Sequence, residues 1–376
     1  MSLLFIHNTM AEYRIPLFIG LDKEINVDYL FTKIELSKEI YGVDSKKYIN
    51  KELKFECLEK NLKRYFKLSK YVSREKYKYI LLPPLDSFGD LLDAIVILFQ
   101  SKLKKKKMLY FGEKWEAPKC NQTKIKKVKN FIQKCAFKFI LNKIDMCIVS
   151  GSKAREYFEG LGIKSEKISI AIDASGVKEK FIAYNIKEKY KLSDDTNIIL
   201  YYGRIVERKG LDLLIRAYSE LKYKGINSCL LICGDGPFKR ECENLVEELK
   251  LDKVIFEGFV DPSYKYTFFS QCDVFVLPSY FYNGIPEAWG LTVNEAMQCG
   301  KPVIATTAVG AAYDLINGKN GRIIPENNVN ELVNSLNDLL NSENNKKIEE
   351  ECKNVYEKFN YDNMINSFIK AINKIR

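Results

Sequence analysis

The chain has 376 residues, of which 46% are apolar and 29% are charged, and its formal net charge is +11. These values are typical of a globular protein with two or three domains. No run of 18 or more apolar residues occurs, which argues against a membrane-spanning helix. The N-terminal sequence lacks the basic and apolar regions of a signal peptide, so we expect none.

Short apolar runs alternate with helical periodicity along most of the chain. The first half contains SLLFI, VDYLF, YKYILL, KMLYF and MCIVS, and the second contains NIILYYG, SCLLICG, KVIFEG, CDVFVLP and KPVIAT. Amphipathic stretches such as LDLLIRAYSELKYKG separate the runs. This alternation predicts βαβ units and parallel sheets. A polar segment without periodicity at 186–196 divides the chain, so we expect two doubly wound α/β domains facing each other across a cleft.

Charge is distributed unevenly along the sequence. Residues 1–190 carry 38 basic and 23 acidic side chains, and residues 101–150 alone carry 14 basic and 3 acidic ones. Such a block favours an anionic partner, for example a membrane surface, a nucleic acid or a phosphorylated substrate. A solvated face of a lysine-rich protein is an equally good interpretation.

The cysteines and the single histidine limit the possible metal chemistry. None of the ten cysteines forms a C-x-x-C pair, and several lie within apolar runs, which favours reduced, buried thiols in a cytosolic protein. One histidine, His7, is too few for the common zinc sites. No D-x-D spacing occurs either, so we expect no metal site.

Two loops of the second half contain candidate ligand-binding residues. In YYGRIVERKG, Arg204 and Lys209 follow a strand and precede a helix, an arrangement that suits a diphosphate, although exposed basic residues in loops are usually only solvated. In CGDGP, Gly234 and Gly236 permit a tight turn and a close approach to a ligand, or mark only a turn.

Two further loops follow strands in the second half. The loop EGFVD contains Phe259 and Val260, which could flank a nucleotide base or mark only the end of a strand. In PEAWGLTVNEAMQCGKPVIA, Glu287 precedes a predicted helix and Glu295 lies in its first turns. The two carboxylates with the helix start between them would suit a nucleotide-diphosphate sugar, whose hydroxyl groups flank a diphosphate. A capping acid and a solvated helix acid explain the spacing equally well.

Together these segments resemble the family 4 retaining glycosyltransferases (glycosyl transferases group 1), which have the GT-B fold of two Rossmann-like domains. The resemblance covers nearly the whole chain and is most specific in G-R-x-x-x-x-K-G at 203–210, G-x-G-P at 234–237 and E-x7-E at 287–295. It implies an acceptor-side domain at 1–190 and a nucleotide-sugar-binding domain at 191–355. It also implies that a final helix at 356–376 crosses back to the first domain.

The resemblance also implies roles for the candidate residues. Arg204 and Lys209 would bind the donor diphosphate, and Glu295 would bind the ribose. Glu287 would hold the transferred sugar together with the backbone amides near Ala288 to Leu291, which include Gly290. No cofactor is implied beyond the donor substrate, a nucleotide-diphosphate sugar, with a UDP-sugar favoured.

The first half departs from the family pattern in two loops. Many relatives have a glycine pair after the first strand, where this chain has His7 to Met10. Many also have a histidine in a cleft-facing loop, where this chain has Glu113, Lys114 and Trp115. The acceptor side is therefore the less defined half of the predicted site.

The preferred hypothesis is a retaining glycosyltransferase that acts on a glycan or lipid-linked acceptor in the assembly of a surface polysaccharide or glycolipid. The alternatives are a nucleotide-sugar epimerase on the same fold and a non-catalytic glycosyltransferase-like partner subunit. Nucleic-acid binding is disfavoured, because the lysine block has no known motif with interleaved aromatics. We expect a cytoplasmic location, with possible peripheral contact with the inner face of the cell membrane.

The segment 119–143 is predicted to be a helix in the basic block. Its pattern places Ile125, Val128, Ile132, Cys135 or Ala136, and Phe139 on one stripe, which we expect to pack on the sheet of the first domain. The lysines on its other faces, together with Lys102 and Lys104 to Lys107, would then attract anionic lipid.

Overall fold

The computed structural model describes residues 2–35, 53, 55–59, 61, 63–116, 124–177, 180–342 and 345–376, with side chains omitted for 124–130. The chain forms two compact units. Unit 1 comprises Met1–Lys114, Asn121–Ile172 and Tyr361–Arg376, and unit 2 comprises Trp115–Cys120 and Asp173–Asn360. In the part of the chain that is described, no helix is long and apolar enough to cross a membrane.

Unit 1 contains a parallel sheet whose strands are joined mostly by helices. Its strands are β1 (Ser2–His7), β2 (Asn26–Phe31), β3 (Phe55–Cys57), β4 (Tyr79–Leu82), β5 (Lys107–Gly112), β6 (Met146–Val149) and β7 (Ile168–Ile170). Its helices are α1 (Ile15–Glu24), α2 (Lys63–Ser73), α3 (Phe88–Leu103), α4 (Lys124–Asn142) and α5 (Ser152–Gly160). The strand order is β3-β2-β1-β4-β5-β6-β7, so the direction of winding reverses between β1 and β4.

The two faces of this sheet are covered by different helices, because alternate strand residues point to opposite sides. Leu4 and Ile6 of β1 share one core with buried residues of α2, α3, α4 and α5. Phe5 points the other way and packs edge-on against Phe18 of α1, with ring centroids 5.4 Å apart. Helices α2 to α5 therefore form one layer on a single face of the sheet.

Unit 2 repeats this architecture. Its strands are β8 (Asn197–Tyr202), β9 (Ser228–Cys233), β10 (Val254–Gly258), β11 (Val274–Leu277), β12 (Val303–Thr306) and β13 (Gly321–Ile324). Its helices are α6 (Ile186–Lys189), α7 (Leu211–Tyr223), α8 (Lys239–Glu248), α9 (Lys265–Gln271), α10 (Thr292–Gln298), α11 (Gly310–Leu315), α12 (Val329–Leu340) and α13 (Asn345–Lys358). The strand order is β10-β9-β8-β11-β12-β13, which places the reversal between β8 and β11. The prediction of two Rossmann-like α/β domains is confirmed, whereas the cleft between them stays a prediction.

The division of the chain differs in position from the predicted boundary near residue 190. The segment before β8 already belongs to unit 2, because Ala183 donates its backbone N–H to Thr267 and Ile186 donates to Gln271. At the other end, α13 stays with unit 2, whereas the last helix, α14 (Tyr361–Asn373), belongs to unit 1. The Tyr361 hydroxyl donates to the carbonyl of Tyr13 over 2.7 Å.

The buried stripe predicted for α4 is wrong at Ile132 and Phe139, whereas Ala136, one of the two alternatives at its position, is partly buried against the core. Ile132 and Phe139 are each 62% exposed, whereas Phe137, Ile140 and Leu141 are buried in the core. Both faces of the helix carry apolar residues at helical spacing, so the sequence pattern alone could not decide which one packs on the sheet. The side chains of Ile125 and Val128, and those of Lys124, Lys126, Lys127 and Lys129, lie outside the described residues.

The predicted lysine patch is also smaller than expected after α3. Lys106 is only 8% exposed, and its ammonium group donates to the carbonyls of Arg74 and Tyr77. Burial, with Lys104 nearby, lowers its pKa. Lys107 pairs with Asp145 over 3.3 Å. Lys102, Lys104 and Lys105 remain exposed.

Candidate functional site

The loops after β8 and β11 flank the point in the sheet of unit 2 where winding reverses. Ligands of doubly wound sheets bind in the crevice formed at such a point, outside the carboxyl ends of the strands. Residues 203–210 follow β8 and contain the 3-10 turn Glu207–Lys209, and residues 278–291 follow β11. Tyr280 donates its backbone N–H to the carbonyl of Arg208 over 3.0 Å, which joins the two loops.

Gly210 fixes the path of the first loop into helix α7. It has a φ of +67°, and a Cβ atom there would lie 2.2 Å from the carbonyl oxygen of Pro278. Only glycine combines this left-handed backbone with such a close approach. The turn that carries Arg208 and Lys209 is therefore held directly against the loop after β11.

An ion cluster joins the two loops. The Glu287 carboxylate accepts from Arg208 Nη1 over 2.7 Å and lies 2.8 Å from Lys209 Nζ, with both contacts on the same oxygen, Oε2. The side chains of Glu287 and Lys209 are 15% and 14% exposed. Lys209 and Glu287 were predicted from the sequence, and the structure brings them together. Arg208 was not predicted, although it adjoins Lys209.

The cluster keeps Glu287 charged. Burial by itself would raise the pKa of this carboxyl group, but Lys209 and Arg208 outweigh that effect and hold the pKa below its ordinary value of 4.5. The group is therefore ionised at neutral pH. Two cations around one carboxylate leave a net positive charge, which suits an anionic ligand.

Backbone hydrogen bonds hold the segment around Glu287 in place. The N–H of Glu287 donates to the carbonyl of Ala308 over 2.9 Å, and its carbonyl accepts from Gly310 over 3.1 Å. Gly290 has a φ of +101°, and a Cβ atom there would lie 2.9 Å from side-chain atoms of Leu277 and Val309. The chain can make this turn only with glycine. Leu291 occupies the N-cap position of α10 and makes no side-chain capping hydrogen bond.

Glu295 lies in the first turn of α10, as predicted, and is 3% exposed. Its Oε1 accepts from the Ser175 hydroxyl over 3.0 Å and from Lys265 Nζ over 2.7 Å. Its Oε2 is buried and has no hydrogen-bond partner among the described residues. A buried carboxylate oxygen without a donor is costly, so this atom is suited to accept from a ligand hydroxyl.

Ser175 and Lys265 were not predicted as site residues. Ser175 lies in the segment between β7 and α6, and Lys265 is the first residue of α9. Neither lies in a distinctive motif, so no local signal in the sequence identifies them. Lys265 also lies 5.5 Å from the ring centroid of Tyr202, at the end of β8. These two residues orient the Glu295 carboxylate through one oxygen and leave the other unoccupied.

Arg204 is placed differently from Lys209. It is exposed, and no described residue lies within hydrogen-bond distance of its guanidinium group. Its carbonyl accepts from the Tyr201 hydroxyl over 3.0 Å. The structure therefore places Arg204 on the same loop as the ion cluster but not in it, and its predicted role in diphosphate binding stays a prediction.

Gly234 and Gly236 are required by the packing of neighbouring loops. A Cβ atom on Gly234 would lie 1.9 Å from the carbonyl oxygen of Gly203, and one on Gly236 would lie 2.1 Å from that of Ile205. Ile205 also donates its N–H to the carbonyl of Asp235 over 2.8 Å. The glycine pair thus fixes the loop that contains Arg204, and its predicted contact with a ligand remains a prediction.

The loop after β10 presents one aromatic side chain to solvent. Phe259 is 77% exposed, whereas Val260 is 8% exposed. The Val260 carbonyl accepts from the Tyr202 hydroxyl over 3.4 Å, which fixes the loop against the end of β8. An exposed phenylalanine beside the carboxyl ends of the strands is a surface on which a base could stack.

The loops of unit 1 that lacked the family pattern hold ordered polar residues. His7 contacts the carbonyl of Thr9 through Nδ1 over 2.8 Å. Burial, reinforced by Arg14, lowers the pKa of His7 to about 4, so the ring is neutral at pH 7. Glu113 pairs with Arg14.

Trp115 belongs to unit 2. It donates its indole N–H to the carbonyl of Ala288 over 2.9 Å, next to Glu287. Its neighbour Lys114 belongs to unit 1.

Comparison with protein families shows which family the second half of the chain matches. Residues 183–358 match the model of the family Glycosyl transferases group 1, and this range contains Lys209, Glu287 and Glu295. Residues 183–358 are a glycosyl transferases group 1 domain. An uncharacterised glycosyltransferase of Methanocaldococcus jannaschii is 28% identical over 183 residues, which are 48% of this chain and 45% of that protein. The alpha-D-kanosaminyltransferase of Streptomyces kanamyceticus is 32% identical over 37% of this chain and 35% of that protein.

The matches to these two relatives span less than half of either relative's length. A solved structure, HepE of Anabaena in complex with UDP, superposes with a TM-score of 0.78 over 99% of this chain and 100% of that one, at 16% identity. The group 1 domain is thus established by sequence, and the GT-B fold of the whole chain is established by structure.

Proposed function

We propose that the protein is a retaining glycosyltransferase that transfers a sugar from a nucleotide-diphosphate sugar to a glycan or lipid-linked acceptor. The single observation that carries this proposal is the pairing of Glu287 with Arg208 and Lys209 at the reversal point of the unit 2 sheet, inside the group 1 domain. Cations bind a diphosphate and a carboxylate binds sugar hydroxyls, so the cluster offers groups for both parts of one donor.

The second carboxylate supports the same donor. Glu295 has one buried oxygen without a partner among the described residues, and a ribose hydroxyl would satisfy it. Phe259 offers a stacking surface for the base. A UDP-sugar is our first choice of donor, and HepE, the structural relative that was crystallised with UDP, supports that choice.

The transfer needs little covalent chemistry from the protein. In our proposal the bond between the sugar anomeric carbon and the phosphate oxygen breaks while the acceptor oxygen attacks from the same face. The acceptor proton passes to the departing phosphate oxygen. Lys209 and Arg208 stabilise the charge that develops on the diphosphate, and Glu287 positions the sugar. No metal ion and no further cofactor enter this scheme.

The test begins with a thermal-shift screen of nucleotide-diphosphate sugars, because a ligand that binds only the folded state raises the melting temperature. A sugar that stabilises the protein is then supplied with glycan acceptors, and the anomeric configuration of the product is read by NMR. Retention supports the proposal. Inversion, or the absence of stabilisation by every nucleotide-diphosphate sugar, contradicts it.

A further inference from the structure

Helix α3 exposes a continuous apolar stripe. Five large side chains on it are 36% to 75% exposed, namely Phe88, Leu92, Ile95, Phe99 and Leu103. Their spacings of three and four residues place them on one face. The opposite face already packs on the sheet through Leu91, Ala94, Ile97 and Leu98. The exposed stripe is therefore not part of the hydrophobic core.

The neighbouring helix α4 extends this apolar surface. Phe131, Ile132 and Phe139 are 62% to 68% exposed, whereas its buried side chains join the same core as those of α3. The two helices lie side by side in one layer, and Gln133 donates to the carbonyl of Asp86 just before α3. The eight exposed apolar residues of these two neighbouring helices are here named the apolar face. An apolar patch of this kind on a soluble protein marks an interaction site.

The exposed charges around the apolar face are mostly positive, with Asp86, just before α3, as an exposed acidic side chain. Six exposed lysines lie on or beside the two helices, namely Lys102, Lys104, Lys105, Lys134, Lys138 and Lys143. The acidic residues of α3 do not offset them, because Asp90 is buried against Lys33 and Asp93 is buried against Arg64. Residues 117–144 contain no Asp or Glu at all.

We propose that the apolar face docks on a lipid bilayer that contains anionic headgroups, with the Phe, Leu and Ile side chains in the interfacial region and the lysines among the headgroups. The stripe on α3 spans about 22 Å, so the helix can lie flat on a membrane. A lipid surface meets both features, since it accepts apolar side chains without directional hydrogen bonds and attracts cations. A second copy of the chain would bring lysines against lysines, which is repulsive.

This surface uses none of the residues assigned to the donor site. The apolar side chains would add a contribution to membrane binding that the lysines alone do not give, because burial of apolar surface is not screened by salt. At 0.1 M salt the Debye length is about 10 Å, and at 1 M it is about 3 Å. Binding driven only by lysines would vanish at the higher salt, whereas docking of the apolar face leaves a residual affinity.

The experiment is co-sedimentation of the full chain with phosphatidylcholine vesicles, with and without phosphatidylglycerol, at both salt concentrations. We expect a clear preference for anionic vesicles at low salt and a measurable remainder at high salt. The double variant Ile95→Ser/Phe99→Ser should lower the partition coefficient about 100-fold at both salt concentrations, because each side chain contributes about tenfold. Tyr223→Ser, at an 87% exposed site in unit 2, is the matched control and should change nothing.

The charge test uses Lys104→Glu/Lys105→Glu, compared with Lys224→Glu/Lys250→Glu at exposed positions of unit 2. The first pair removes two positive charges and adds two negative ones, so it should weaken binding at least about 30-fold at low salt, and the second should have no comparable effect. Each variant is accepted only if its melting temperature and its binding of a nucleoside diphosphate match those of the unaltered chain. Nucleoside diphosphate binding is compared only if the unaltered chain binds a nucleoside diphosphate.

Three results overturn the proposal. The first is equal binding to neutral and anionic vesicles at low salt. The second is unchanged binding by the Ile95→Ser/Phe99→Ser variant. The third is a dimer in lipid-free solution, measured by light scattering, that this variant converts to a monomer, because the face would then hold a second copy. Failure of the donor-site proposal would leave all three readouts unchanged.

Discussion

Replacing Glu287 with glutamine removes one negative charge from the ion cluster and keeps the shape of the side chain. In the structure this carboxylate lies 2.7 Å from Arg208 and 2.8 Å from Lys209, so it competes with any diphosphate for the two cations. The same carboxylate is proposed to hold the transferred sugar. Glu287→Gln should therefore affect a nucleoside diphosphate and the corresponding nucleotide sugar in opposite directions.

The magnitudes follow from the exposure of the cluster. Its side chains are 14% to 35% exposed, so the cluster is intermediate between a surface ion pair and a buried one. A surface pair contributes up to about 1 kcal/mol, and disrupting a buried pair costs about 3–5 kcal/mol. We expect a loss of about 1–3 kcal/mol in the free energy of unfolding. Release of the cations should tighten nucleoside diphosphate binding up to about fivefold. Loss of a charged hydrogen bond to the sugar should weaken nucleotide-sugar binding about 10- to 150-fold.

The assay is isothermal titration calorimetry with one nucleoside diphosphate and its sugar conjugate, at neutral pH. Glu349→Gln on α13 is the matched control, because Glu349 is also a carboxylate paired with a lysine, Lys353. It should alter neither affinity. If Glu287→Gln weakens binding of the two ligands equally, Glu287 makes no contact that is specific to the sugar. Tighter binding of the sugar conjugate would refute such a contact as well.

Three further predictions concern single features of the molecule. Lys209→Met should weaken nucleoside diphosphate binding about tenfold or more in calorimetry, because it removes a charged contact, and unchanged affinity would contradict the assignment. The activity on a nucleotide sugar should persist in EDTA, and a loss that Mn²⁺ or Mg²⁺ restores would show a metal requirement. His7 has a pKa of about 4 in the folded chain and 6.5 in the unfolded chain, so between these pH values only the unfolded chain binds a proton at this ring. The free energy of unfolding should therefore fall by about 2 kcal/mol from pH 7 to pH 5. In urea denaturation at these two pH values His7→Gln should remove this part of the pH dependence, and because the chain has no other histidine, an unchanged slope would refute the cause.

The sheet architecture could be predicted from the sequence because buried parallel strands are short, continuous apolar runs. The runs from SLLFI to KPVIAT became strands of two parallel sheets. Glycines were equally informative, since Gly210 and Gly290 adopt positive φ angles that few other residues tolerate. Motifs built on such glycines locate loops at the carboxyl ends of strands, and these loops form the site.

Side-chain partners were less predictable, because they depend on contacts between segments far apart in sequence. Arg208 rather than Arg204 reaches Glu287, and only the fold of the 3-10 turn decides between them. Ser175 and Lys265 meet at Glu295 from two segments without a shared motif. The prediction of which face of α4 packs on the sheet failed for a related reason. Both sides of that helix carry apolar residues, and only one side packs in the core.

We propose that the group 1 domain binds a nucleotide-diphosphate sugar through Lys209, Glu287 and Glu295. The most direct test is calorimetric titration of nucleoside diphosphates, UDP first and then GDP, ADP, CDP and dTDP, into the unaltered chain and into Glu295→Ala. At least one should bind, and the variant should bind it about 10-fold or more weakly while its melting temperature stays within a few degrees of the parent. Binding of none of the five, or equal affinity in the variant, would contradict the proposal.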